Sequence, residues 1–366
     1  MLKTVFVIIG TIIGAGFASG QEIYSFFSIY EENGLIGIIL SNVLIGIIMY
    51  VILKKTNQFN IKSYSELLEH TKVPKSIVNI LNIIINIFLL ISFYVMVAGF
   101  SAYFKQEFNI SQIITIIPIL ILCYLTFMKN IEGIAKINSI IIPILIAIII
   151  IIGAKANVLQ NITNINVSNI SFSANWIIKS IEYASYNSIL LIPILISVST
   201  YTKNKEKQTS IIVTCIMLII SLIISLLMFK QTEIYTTELP LVYIASSFGE
   251  FFKLIYGIVI VFAIYSTMIS AGYGFLQNCS KNKKTYKILA IIMCVSAIFT
   301  LFFSFSGLVN LTYPVFGILG FLQLLLMKKS NKGDGAFVSF SKKVLKFWQK
   351  TGINIMEAKE EKFWKI

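Results

Sequence analysis

The 366-residue chain is 57% hydrophobic and 13% charged, with a mean hydropathy of +0.86, which excludes a water-soluble globular protein. Its formal net charge of +14 does not indicate a nucleic-acid binder, because the lysines stand between apolar runs and form no basic face with interleaved aromatics outside the C-terminal end. At about 20 apolar residues per span, this length holds about ten transmembrane helices joined by short loops.

All 30 basic residues are lysine, which together with abundant Ile and Asn fits an AT-rich bacterial genome, and hence a bacterial cytoplasmic membrane. Cys123, Cys215, Cys279 and Cys294 form no CxxC pair and read as reduced packing residues. The single histidine, His70, lies in a loop among Glu66, Glu69 and Lys72, so a His-based triad or zinc site inside the membrane is not expected. No nucleophile–base pair stands out, which makes an enzyme the least favoured class and leaves no organic cofactor expected. An ion channel would need a filter motif or a ring of repeated acidic residues, and neither is found in the sequence.

Apolar runs bounded by charged or turn-forming segments predict helices near residues 3–29, 33–53, 76–104, 110–128, 135–154, 175–200, 208–229, 251–277, 285–304 and 307–327. The N-terminal run lacks a small-x-small cleavage site and further spans follow at once, so it is kept as the first helix. Of the 30 lysines, 25 fall on one side of this scheme, including Lys3 and those of the C-terminal tail. Only Lys105, Lys155, Lys179, Lys230 and Lys253 fall on the other, beside Glu31, Glu32, Glu107, Glu233, Glu238 and Glu250. The positive-inside rule then places both termini in the cytoplasm. Helix one runs outward and helix six inward, and helices one to five match six to ten at an offset of about 172–175 residues. Residues 1–327 thus read as one all-α membrane domain built as a 5+5 inverted repeat, 1–155 and 175–327.

Breaks are expected in corresponding helices. Helix one contains Gly10, Gly14, Gly16 and Gly20 in GTIIGAGFASGQE, and helix six contains Ser185-Tyr186-Asn187-Ser188 at matching depth. Each interior helical glycine costs ~1 kcal/mol relative to Ala. An unwound segment in hydrocarbon leaves backbone groups unpaired at several kcal/mol each unless they line a cavity or meet an ion or solute. Close helix packing is the alternative explanation for the glycines, and the polar run in helix six favours the breaks. If helix one unwinds near Ile13 to Gly16 and restarts at about Phe17, the free N–H groups carry the positive end of a helix dipole. A solute carboxylate would bind there, against Gly14, Ala15, Gly16 and Phe17.

The run Gly10-Thr11-Ile12-Ile13-Gly14-Ala15-Gly16 resembles the first-helix pattern of the amino acid–polyamine–organocation superfamily, and Phe17-Ala18-Ser19-Gly20-Gln21-Glu22 resembles the YkvI family within it. The resemblance covers the whole hydrophobic chain in helix count and repeat, and is specific in helix one. It implies the LeuT fold and secondary active transport of a small amino-acid-like solute, by alternating access around breaks in helices one and six. It also implies a sodium site where helices one and eight cross, here the carbonyls of Gly10, Ile13 and Ala263 with the hydroxyls of Ser266 and Thr267. Back-bonding of those hydroxyls to the preceding turn is the alternative. A second sodium site of the superfamily needs an Asn directly after the glycines, where this chain has Phe17.

Proton-coupled members place a lysine mid-membrane in helix five, whereas Lys136 falls at the cytoplasmic end, so sodium is favoured as the coupling ion. Glu182, one turn before the helix-six run, and Glu22, just beyond the helix-one break, are the candidate proton-coupling residues. For Glu182, a structural pair with Lys179 three residues earlier is the alternative. Tyr94 of helix three would reach the solute carboxylate through its hydroxyl, while Ser185, Tyr186 and Asn187 would recognise the amino group or side chain.

Residues 328–366 form a basic cytoplasmic tail, in which Phe337, Phe340, Val344, Phe347 and Trp348 recur at helical spacing against Lys342, Lys343, Lys346 and Lys350. This reads as an amphipathic helix for the anionic inner leaflet, with a partner-binding helix as the alternative. The rival to a transporter is a ligand sensor of the same fold, resembling spore-germination receptors, which would bind a solute without net flux.

Overall fold

The computed structural model of the protein describes residues 2–70, 75–128, 132–163, 165–171, 174–229 and 231–328. These are helical, with no strand among the described residues. Helix one arrives in three pieces, α1 (Leu2–Ile12), α2 (Ala15–Ala18) and α3 (Gln21–Phe26). The rest of the first half is α4 (Glu31–Phe59), a short α5 (Tyr64–His70), α6 (Lys75–Phe108), α7 (Gln112–Met128) and α8 (Glu132–Lys155). After the single turn α9 (Gln160–Thr163) come α10 (Ala174–Val198), α11 (Glu206–Met228), α12 (Pro240–Ser247), α13 (Glu250–Cys279), α14 (Lys283–Ser296) and α15 (Phe305–Lys328).

Among the described residues, seven helical runs are long and apolar enough to cross a membrane, and α7 and the described part of α8 are shorter apolar helices. Large apolar side chains such as Ile114, Ile140, Phe299 and Phe302 are exposed on the outside of the bundle, a surface that suits lipid rather than water. Inside, α10 lies between α4 and α15, α6 packs on α13, α4 on α11, and α7 on α14. The amphipathic helix expected beyond residue 328 lies outside the described residues.

The expected break in helix six is corrected by the structure: α10 is continuous helix straight through Ser185–Ser188. The polar groups that suggested a break are satisfied on the helix itself. Asn187 Nδ2 donates to the Tyr183 carbonyl at 2.9 Å, Ser188 Oγ to the Ser185 carbonyl at 2.6 Å and Ser180 Oγ to the Trp176 carbonyl at 2.7 Å. Such back-bonding uses up the side-chain donors without unwinding the backbone. Close neighbours also hold the helix straight. A Cβ on Gly37 of α4 would lie 2.9 Å from Ser180 Oγ, and one on Gly317 of α15 would lie 2.9 Å from the Glu182 carbonyl oxygen. The glycines of α4 and α15 thus serve close helix approach.

One end of the bundle is covered by the segment joining α11 to α12. Leu241 N–H donates to the Ser19 carbonyl at 3.0 Å. Gln106 of α6 exchanges two hydrogen bonds with the Leu239 backbone, at 3.0 and 3.3 Å. The Glu238 carboxylate accepts the Ser306 N–H at 2.7 Å, at the start of α15, where the first amides of a helix need an acceptor. The cover therefore grips α6, α15 and the turn between α2 and α3 at once.

Candidate functional site

The interruption of helix one is local and its cause can be followed bond by bond. Ile13 N–H still donates to Ile9, at 2.8 Å, but Gly14 N–H turns back to Ile12 at 3.0 Å. The amide that would ordinarily close on the Gly10 carbonyl is thereby diverted. Gly14 is extended (φ −86°, ψ −176°) and helix resumes at Ala15, two residues earlier than expected. A second bend follows at Ser19-Gly20. There Gly20 adopts φ 81°, and the Ser19 hydroxyl donates to the Gly16 carbonyl at 2.8 Å while accepting Gln21 N–H at 3.2 Å. A Cβ on Gly20 would also approach Leu241 Cγ to 2.8 Å, so conformation and space both require glycine.

The residues expected to hold sodium are partly assembled. Thr267 of α13 stands beside the break: its Cγ2 is the nearest atom, at 3.9 Å, to a Cβ placed on Gly14. Ser266 Oγ and Thr267 Oγ1 both donate to the Ala263 carbonyl, at 3.1 and 2.8 Å. The back-bonding alternative is therefore present, although each hydroxyl keeps its lone pairs outward from that bond. Gly10 turns its α-carbon to Ile142 of α8.

On the other side of the break lies a buried carboxyl. Glu22 is 1% exposed, and its Oε1 has no hydrogen-bond partner; Gln21 Oε1 next to it is in the same state. Glu22 Oε2 and Tyr313 Oη lie 3.0 and 2.6 Å from the point a Cβ on Gly16 would occupy. Only a glycine lets these two groups meet the backbone of α2. The Tyr313 ring stacks on Tyr186 of α10, with centroids 4.8 Å apart and planes 22° apart. Phe26 lies parallel to Tyr186 at 6.4 Å and meets Tyr183 edge-on at 5.2 Å. Phe88 of α6 stands 6.0 Å from Tyr186 and 4.4 Å from Phe316. Tyr183, Tyr186 and Tyr313 all lie close to the Glu22 carboxyl, with the Tyr183 hydroxyl facing it. A buried charge with no compensating partner costs several kcal/mol.

Of the residues singled out in the sequence, the structure brings Gly16, Glu22 and Tyr186 together, and Gly14 to Thr267. Ala15 and Phe17 are wholly buried beside them. Tyr94 is placed elsewhere, its hydroxyl 2.7 Å from Ser296 Oγ of α14. The Asn187 amide is spent on Tyr183, and the Ser185 carbonyl lies under Gly320. Glu182 pairs with Lys179 at 2.8 Å, as the structural alternative held. Sequence reasoning missed Tyr183, Tyr313, Phe26 and Phe88. Tyr183 could have been found, since it shares a helical face with Tyr186 three residues on.

No family model matches the chain. It is 26% identical to the uncharacterized membrane protein YkvI of Bacillus subtilis (strain 168) over 332 residues, 89% of this chain and 95% of that one. It is 28% identical to the uncharacterized protein YyaD of the same strain over 334 residues, with the same shares covered. Among solved structures it resembles a Na+-coupled sialic acid symporter in a substrate-bound outward-open state, with a TM-score of 0.55 at 13% identity, covering 89% of this chain and 76% of that one. The protein is thus a multi-pass helical membrane protein, similar over most of its length to YkvI and YyaD and sharing its fold with a sodium-coupled symporter.

Proposed function

We propose that the protein is a secondary active transporter of a small amino-acid-like solute, coupled to sodium and working by alternating access around the interruption of helix one. The observation that carries this reading is the break itself. In a membrane-spanning bundle, unpaired backbone survives only against a cavity, an ion or a solute, and here the interrupted segment has Thr267 on one side and Glu22 with Tyr313 on the other. The likeness in fold to a Na+-coupled symporter supports the same class, as does the facing of α6 with α13 and α7 with α14, the pairs a 5+5 inverted repeat relates to each other. Because α10 is unbroken, the bending that alternating access needs falls on Ile13-Gly14 and Ser19-Gly20.

Sodium would sit at the crossing of helix one with α13, taking the diverted Gly10 carbonyl and the lone pairs of Ser266 and Thr267. Thr267→Val removes one such oxygen at nearly constant volume, whereas Ala263→Val keeps the backbone carbonyl. Sodium-driven solute uptake into proteoliposomes should therefore fall at least tenfold in Thr267→Val and much less in Ala263→Val, about 1.4 kcal/mol of ion affinity. Sodium dependence unchanged in Thr267→Val would remove the ion from this place.

A further inference from the structure

We infer that Glu22, beside Tyr183, Tyr186 and Tyr313, receives the ammonium group of the solute; this deepens the transporter reading and rests on it. Three observations converge on Glu22. First, its side chain is 1% exposed and its Oε1 is unpartnered. A buried acceptor calls for a donor, and an ammonium group brings three N–H donors and a positive charge together.

Second, the ammonium of Lys179, 5.7 Å from the Phe26 ring centroid, is held by Glu182 at 2.8 Å, so it does not neutralise Glu22. Third, the walls are aromatic. The stacked pair Tyr186–Tyr313, with Phe26 parallel to Tyr186, surrounds the carboxyl with aromatic rings and phenol hydroxyls. A desolvated organic cation can lay its apolar part on such rings while its ammonium meets the carboxyl.

The same geometry revises the orientation expected from sequence. Glu22 Oε2 lies 3.0 Å from where a Gly16 Cβ would be, so a solute carboxylate laid against Gly16 would be pressed against a second carboxyl, acceptor against acceptor. The ammonium end therefore docks at Gly16 and Glu22, and a carboxylate, where the solute has one, points away toward the Gly14 side.

The test uses the purified full-length protein and three probes of similar size: butylamine (cation), L-leucine (zwitterion) and butyrate (anion). A probe that binds the folded form raises the melting temperature. At least one of the two ammonium-bearing probes should stabilise the wild type and butyrate should not. Glu22→Gln, which keeps the shape of the side chain, should weaken that binding at least tenfold, and Glu22→Asp should recover part of it. The inference is overturned if neither ammonium probe stabilises the protein, if butyrate does, or if Glu22→Gln binds as tightly as wild type. It is overturned equally if Glu22→Gln abolishes stabilisation by sodium chloride while leaving the ammonium probes unaffected, which would make Glu22 an ion ligand. Ammonium binding at Glu22 without flux across liposomes would leave this assignment standing and sink only the transporter reading.

Discussion

Replacing Gly16 with valine abolishes solute binding while the protein still inserts and folds. The first added carbon lands 2.6 Å from Tyr313 Oη, 3.0 Å from Glu22 Oε2 and 3.3 Å from Tyr313 Cε2. Either Tyr313 leaves its stack on Tyr186 or the Glu22 carboxyl turns away, and the two further methyls of valine fill what space is gained. Overpacking of this kind costs about 1–3 kcal/mol. The direct loss of ligand space adds to that, so affinity should drop by about 100-fold or more, or 2.8 kcal/mol. Gly14→Ala is the matched control, because its Cβ meets only Thr267 Cγ2, at the ordinary distance of 3.9 Å. A ligand-induced melting shift retained in Gly14→Ala and absent in Gly16→Val is the expected pattern. Equal binding by Gly16→Val and wild type would show that no ligand approaches the backbone there.

Gly320→Val should do the most damage to the fold itself. A Cβ on Gly320 would collide with the carbonyl of Ser185 and reach Ile189 Cγ1 at 3.2 Å. Backbone cannot swing aside as a side chain can, so α10 and α15 must separate along their length. Since α10 also packs on α4, the separation cannot be absorbed by moving α10 alone. Dispersion contacts are lost throughout the interface, and destabilisation of about 3 kcal/mol or more follows. Gly274→Ala provides the contrast, because its Cβ meets only the flexible side chain of Leu89, at 3.2 Å. The melting temperature and the monodisperse fraction of purified protein should fall sharply in Gly320→Val and little in Gly274→Ala.

The helices were legible because their cause is one-dimensional. Lipid demands about 20 apolar residues per span, and the turns between spans carry charge, so the predicted ranges and α4, α6, α7, α8, α10, α11, α13 and α15 differ at their ends by six residues at most, whereas the range 285–304 overruns α14, which ends at Ser296. The break in helix one was legible for a related reason, since four glycines within eleven residues are poor helix whatever surrounds them. Helix six was misread because the same composition has two outcomes. Ser185, Asn187 and Ser188 can unwind a helix or bond back to it, and the choice depended on Gly317 and Gly320, about 130 residues away.

The site followed the same division. Glu22 could be flagged from its depth alone, but its meaning came from Tyr313, which looks like any of the 17 tyrosines in the sequence. Tyr94 was chosen on depth and chemistry, and the facing Ser296 decided its place instead. Glu182, flagged on the same grounds as Glu22, meets Lys179 one turn away. Local partners three or four residues apart can be read from sequence, whereas tertiary partners cannot.

Movement of solute across a membrane is the central claim, and flux by the purified protein alone tests it most directly. One sodium ion moving through 100 mV releases ~2.3 kcal/mol, enough for ~50-fold accumulation when coupling is tight. Proteoliposomes should be loaded without sodium, energised by an inward sodium gradient and supplied with the probe that raises the melting temperature. Accumulation that requires external sodium and collapses when the gradient is dissipated is the expected result. Saturable binding of the same probe with no flux under any gradient would contradict it and place the protein among ligand sensors.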